Sequence, residues 1–155
     1  MDSPRFRGHL TARLDAKGRL RIPTKLKDVL SQKYPSEEAL ALVLTKSEDH
    51  LVAYPPEEWD KLETKLIENL SQFNSSHQSF VRNFISSAEV CELDSQGRIL
   101  IPPVLRETAQ LDQELFIVGM LTTFEIWNKA AFDLQAENYK ENGQKIMESI
   151  PITGF

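Results

Sequence analysis

Arg13, Lys17, Arg19 and Arg21 crowd into nine consecutive positions around Asp15 and Gly18. That density of guanidinium and ammonium groups supports one kind of chemistry, the binding of an anion. Like charges held together repel, and an anionic ligand would offset the repulsion. Arginine adds shape to charge, because its planar fork matches phosphate and the O6/N7 edge of guanine. Catalysis has no comparable support. His9, His50 and His77 are scattered, and there is no Cys-x-x-Cys, His-Glu-x-x-His or Gly-rich phosphate loop. The chain is therefore expected not to be an enzyme and to need no metal, cofactor or small-molecule substrate.

The elements that must hold these cations are written twice. Asp15-Ala16-Lys17-Gly18-Arg19-Leu20-Arg21-Ile22-Pro23-Thr24-Lys25-Leu26 returns 79 positions later as Asp94-Ser95-Gln96-Gly97-Arg98-Ile99-Leu100-Ile101-Pro102-Pro103-Val104-Leu105, with six identities. An internal repeat decides the architecture before any other reading. Gly18 and Gly97 mark a sharp turn, and Asp15 and Asp94 can accept backbone N–H bonds within it. Alternating apolar residues follow (Leu20 and Ile22; Ile99 and Ile101), the period of a strand, and then Pro23 or Pro102 opens a short helix. Asp15 and Asp94 either only brace the turn, bridging to Arg19 and Arg98, or also take part in the site. The cations are asymmetric: at the positions of Arg13, Lys17, Arg19 and Arg21 the second copy has Glu92, Gln96, Arg98 and Leu100. A purely structural turn gives no reason for that difference.

Charge is segregated on a larger scale too. The chain of 155 residues carries a net −5, yet residues 1–33 hold nine Lys/Arg against three acids. A basic N-terminal face on an acidic remainder predicts an anionic partner for the former. No run nears the ~18 apolar residues of a membrane span, no apolar signal core opens the chain, and a lone Cys91 fits a reducing cytoplasm. Cys91 aligns with Ala12 in the repeat, so a buried small hydrophobe is expected there rather than a nucleophile.

In chain order, residues 5–14 alternate, with Phe6, Leu10, Ala12 and Leu14 on one side and Arg7, His9, Thr11 and Arg13 on the other, predicting a half-buried strand with a basic face. His9 is either a phosphate contact or a solvated polar residue. A helix is expected from Thr24 to about Gln32, ended by Tyr34-Pro35-Ser36. Strands follow at Ala39–Thr45 and Leu51–Tyr54. Pro55-Pro56-Glu57-Glu58 opens a helix whose Trp59, Leu62, Leu66, Leu70 and Phe73 form an apolar stripe. Asn74 caps a second helix carrying Phe80, Val81, Phe84 and Ile85. The repeat restarts near Ala88, with strands at Leu115–Met120 and Phe124–Trp127. Asn128 then caps a helix in which Phe132 answers Trp59. The fold class is α+β, a tandem pseudo-two-fold repeat of a β-hairpin/α unit in a single domain, 5–155. Its parts are a first repeat 5–54 with an anion-reading hairpin 13–21, connecting helices 55–86, a second repeat 87–127, a helix 128–143 and a tail 144–155. The tail is expected to be poorly ordered unless it docks on a neighbouring subunit.

Arg5-Phe6-Arg7-Gly8, the Leu14–Leu20 and Leu93–Ile99 cores, Pro102, Leu105 and Phe124-Glu125-Ile126-Trp127 together resemble the bacterial MraZ family over about Arg5 to Tyr139. The resemblance implies an AbrB-like and MazE-like swapped-hairpin (double-split) β-barrel with flanking helices. It also implies a cytoplasmic, nucleoid-associated transcriptional regulator that binds short G-rich direct repeats in double-stranded DNA upstream of its own division and cell-wall operon, as a homo-oligomeric ring. Carried onto this chain, it puts DNA contact on Lys17, Arg19 and Arg98. The surrounding charge adds Arg7, Arg13 and Arg21 as phosphate contacts. The rival from another class is an antitoxin-type protein-interaction module without specific DNA binding.

Overall fold

A computed structural model describes residues 3–35 and 40–152. Ser36, Ala39 and Gly154, which the sequence places in a turn, a strand and the tail, lie outside them. The first copy gives β1 (His9–Arg13), β2 (Arg19–Arg21), α1 (Thr24–Lys33), β3 (Ala41–Ser47) and β4 (His50–Tyr54). α2 (Pro56–Asn69), α3 (Ser75–Phe80) and a π-helical turn (Val81–Ile85) connect it to the second. That copy gives β5 (Glu89–Glu92), β6 (Arg98–Leu100), α4 (Pro103–Thr108), β7 (Glu114–Met120), β8 (Thr123–Asn128) and α5 (Lys129–Glu148).

The copies exchange strands. β1 pairs with β7 of the second copy, and β5 pairs with β3 of the first. The antiparallel sheet therefore runs β1-β7-β8-β4-β3-β5, with equivalent strands at mirrored places. β2 and β6 pair separately as a two-stranded ribbon. The pseudo-two-fold axis passes through the Leu20↔Ile99 pair of the ribbon and between β4 and β8. The six-stranded sheet ends in two edges, β1 and β5, so hydrogen bonding does not close it on itself.

The core lies between the sheet, the ribbon and α1/α4. Leu20, Ile99, Ile101, Leu26, Leu30, Leu44, Leu105, Ile117 and Phe124 are buried in it, each side chain contributing roughly 1.5–3 kcal/mol. Interlocked strands mean that neither copy owns a complete core. Aromatic pairs repeat the symmetry outside it: Tyr54 meets Trp59 edge-on at 5.0 Å, and Trp127 meets Phe132 at 5.6 Å. Phe132 does answer Trp59. Asn74 and Asn128 cap α3 and α5 with their side-chain oxygens.

Two expectations are corrected. The α2 stripe is buried only at Trp59, α2 ends at Asn69, and Phe73 stands 89% exposed in the following loop. The C-terminal helix runs past Gly143 to Glu148, because the sequence 144–148 contains no breaker and Gly143 is tolerated in place. β1 is half-buried as the alternation predicts, with His9, Thr11 and Arg13 exposed, and the exposed His9 ring also packs edge-on against Phe116 and Phe132.

Candidate nucleic-acid interface

Each glycine turn is tied by its aspartate. Asp15 Oδ1 accepts the N–H groups of Lys17 and Arg19, both at 2.9 Å, while Asp15 and Arg19 also bond through their backbones. Asp94 Oδ1 repeats this with Gln96 and Arg98, again at 2.9 Å. Gly18 (φ 83°) and Gly97 (φ 74°) take the left-handed conformation the turn demands. The Arg19 N–H, foremost, and then the Lys17 N–H hold the Asp15 carboxyl below its ordinary pKa against the opposing effect of desolvation. Asp94 is lowered in the same way, led by the Arg98 N–H. The bracing role of the aspartates is thus visible in their bonds.

The two turns are then locked together. Ile22 N–H donates to Gly97 O and Ile101 N–H to Gly18 O, each at 2.9 Å. Between them the ribbon sets Arg19 opposite Leu100, Leu20 opposite Ile99 and Arg21 opposite Arg98. Side chains alternate across a strand; Leu20 and Ile99 point into the core, so Arg19, Arg21, Arg98 and Leu100 share the outward face. The two copies do not present two separate heads. They merge into one ribbon with three arginines on it.

These arginines are not matched one for one by carboxylates. Arg98 Nε donates to Asp94 Oδ2 at 2.9 Å. Among the described residues the Arg19 guanidinium makes no hydrogen bond or ion pair, and Arg21 makes only a 3.3 Å bond to Gln96 O. An open depression of about 500 Å³ beside the ribbon is lined by Arg13, Asp15, Arg19, Arg21, Thr24 and Arg98. Lys17 is exposed at the tip of the first turn. Arg13, opposite Glu114 in register, stands at the margin of the cluster. Arg7 is not brought in: it lies beyond the other end of β1, next to Gly119, with five strand residues (roughly 17 Å) between.

Two cations escaped the sequence reading. A methyl group on Gly18 would collide with the guanidinium of Arg106, whose Nε donates to Ile101 O at 2.9 Å; one on Gly97 would fall 3.3 Å from Cδ of Lys27. Lys27 and Arg106 are themselves 79 positions apart, so each helix of one copy lays a basic side chain over the turn of the other. Extending the repeat comparison one turn into the helices would have found them.

No group of three or more potential metal-ligating side chains occurs among the described residues. Burial, aided by the charge of Glu89, pushes the Cys91 thiol up to about 11, which leaves it protonated and unreactive.

A family model described as "MraZ protein, putative antitoxin-like" matches the chain twice, over residues 6–83 and 84–148. The chain belongs to the MraZ family. The two MraZ matches meet within the π-helical turn that links the copies. A protein of Syntrophobacter fumaroxidans named transcriptional regulator MraZ is 54% identical over 155 residues, all of both chains. The protein of that name from Acetivibrio thermocellus is 37% identical over 97% of this chain and 99% of its own. That of Shewanella denitrificans is 38% identical over 86% of each. No helix among the described residues is long and apolar enough to cross a membrane.

Proposed function

We propose that this chain is a sequence-specific DNA-binding transcriptional regulator whose reading head is the β2–β6 ribbon. The observation that carries this is the outward face of Arg19, Arg21 and Arg98, with one carboxylate pair among three guanidiniums. A two-stranded ribbon fits the major groove, where arginine forks onto guanine O6 and N7. Arg19, which makes no hydrogen bond or ion pair among the described residues, takes a guanine edge; Arg13, Lys17, Arg21 and Arg98 take phosphates and fix the register. Lys27 and Arg106 support the turns from behind and add positive potential. Arg7, a strand length away, has no part in this head.

The names of the relatives support regulation of transcription. The finer reading adds G-rich direct repeats upstream of the chain's own division and cell-wall operon, a nucleoid location and a ring of subunits. Each ribbon alone would bind weakly, and assembly would sum the contacts through effective concentration. Ile67, Phe73 and Leu134, 81%, 89% and 74% exposed, supply apolar surface for such assembly. The exchanged pairing of β1 and β5 favours the swapped-hairpin barrel as the fold's parent form.

Retention of the duplex upstream of its own gene, in a gel-shift titration at two salt concentrations, tests the reading. Arg19→Ala should abolish the shift with the subunit number unchanged by light scattering. Normal binding by Arg19→Ala, or no preference over scrambled duplex alongside a co-purifying stoichiometric protein, would transfer the case to the antitoxin-type module.

A further inference from the structure

Leu100 is the misfit of the reading face. Its neighbours Ile99 and Ile101 are 1% and 0% exposed, as core residues should be, whereas Leu100 is 54% exposed. It occupies the place related by the pseudo-two-fold to Arg21, and it stands directly opposite Arg19. Every other outward position of the ribbon is an arginine. Folding asks there only for an uncharged partner to Arg19, which a polar residue would serve as well, since the core lies on the other face. Phosphate binding gives none either.

We infer that Leu100 is a specificity-determining residue that packs on a thymine 5-methyl group next to the guanine read by Arg19. The inference rests on the DNA-reading assignment of the ribbon. Among the base edges of the major groove, the apolar group is the thymine C5-methyl. Directly opposite residues of an antiparallel pair have Cβ atoms about 4.5–5.5 Å apart, and bases in one strand rise by about 3.4 Å. Arg19 and Leu100 are therefore spaced to meet neighbouring base steps. Because the second side chain is leucine and not a second arginine, the head is polar: its two halves ask for different bases. Such a head reads a non-palindromic element in one orientation, which suits elements repeated head to tail.

The test replaces each thymine of the upstream duplex, one at a time, by deoxyuridine, which removes only the 5-methyl group. Wild type and Leu100→Ala are titrated against each duplex, with light scattering on both proteins. At one position wild type should lose affinity about fourfold, the worth of one buried methyl. Leu100→Ala, which removes an exposed side chain and should fold normally, should bind thymine and uracil duplexes equally there while still shifting the operator. A wild type indifferent to every substitution, or a Leu100→Ala that keeps the thymine preference, overturns the inference and leaves DNA reading intact. A changed subunit number in Leu100→Ala with the thymine preference kept would assign the side chain to a subunit contact and likewise overturn it. Failure of wild type to shift the unsubstituted duplex would instead sink the DNA assignment itself, and this inference with it.

Discussion

Arg21 and Arg98 face each other across the β2–β6 ribbon as a register pair, one from each copy of the repeat. Directly opposed like charges destabilise a two-stranded pair, by about 0.2–1 kcal/mol. Asp94 engages Arg98, but among the described residues Arg21 reaches only the carbonyl of Gln96. The related position pairs Arg19 with Leu100 and avoids the repulsion. The chain thus contains both a comfortable and an uncomfortable version of one contact, and the uncomfortable one sits in the depression where an anion would relieve it.

Arg21→Leu copies the comfortable version. Free of DNA, the variant should be as stable as wild type or more so by a few tenths of a kcal/mol. It should nonetheless bind all duplexes more weakly, and the slope of log affinity against log salt should shrink by about one. Thermal melts paired with a salt titration would read both effects. A loss confined to the operator would instead give Arg21 a base contact.

Gly18→Ala and Gly97→Ala are chemically the same change in the same turn, with different neighbours. At φ above +70° an added Cβ is strained by roughly 1–2 kcal/mol in either turn. At Gly97 it meets the flexible stem of Lys27, which can give way. At Gly18 it collides with the Arg106 guanidinium, and displacing that group breaks the bond to Ile101 O. Gly18→Ala should melt lower than Gly97→Ala, and adding Arg106→Ala to each should narrow the gap.

Much of this site was legible from the chain itself. The doubled Asp-x-x-Gly-Arg spacing predicts the turn, the strand after it, and the asymmetry between Lys17/Arg21 and Gln96/Leu100. Spacing within a copy does not say which strand of the other copy lies alongside, so the pairing of Arg21 with Arg98 needed coordinates. Alternation along β1 fixes a face and says nothing of distance along it, so the separation of Arg7 from the turn was not legible. The α2 stripe at Leu62, Leu66 and Leu70 has the period of a buried helix, but only Trp59 of that helix is fully buried. Periodicity reports a face that would bury if something covered it, and here Leu62, Leu66 and Leu70 are covered only in part.

Acid should weaken the fold through three carboxylates. Asp15, Asp94 and Glu125 all lie below their ordinary pKa in the folded chain. A carboxyl more acidic folded than unfolded adds stability that is complete above its unfolded pKa, about 4, and is lost as pH falls through the folded value. The melting temperature should therefore hold from neutral pH to about 5 and drop below about 4. Asp15→Asn with Asp94→Asn keeps an acceptor oxygen for each turn but removes the titration, so its acid limb should be shallower. An identical limb in the double variant would place the acid sensitivity elsewhere.

Glu125 has a second dependence, on His50, and it separates stability from DNA binding. His50 is 6% exposed, stacks on Trp127 at 4.2 Å, and lies with Nε2 3.0 Å from Glu125 Oε2. Trp127 Nε1 donates to the other oxygen at 3.0 Å. Desolvation alone would raise the Glu125 pKa; the bonds from His50 and Trp127, with the charge of His50, outweigh it. His50→Ala leaves the carboxylate half-satisfied beside an emptied stack, and should cost about 1–3 kcal/mol, or several degrees in Tm for a chain this long. Glu125→Gln keeps the shape and an acceptor, and should cost less. Both residues belong to the β4–β8 pair of the large sheet, whereas the proposed reading face is the separate β2–β6 ribbon. Below its melting temperature His50→Ala should therefore bind operator DNA as wild type does. If a folded His50→Ala lost that affinity, the two sheets would be coupled, and the ribbon could no longer be treated as an independently braced head.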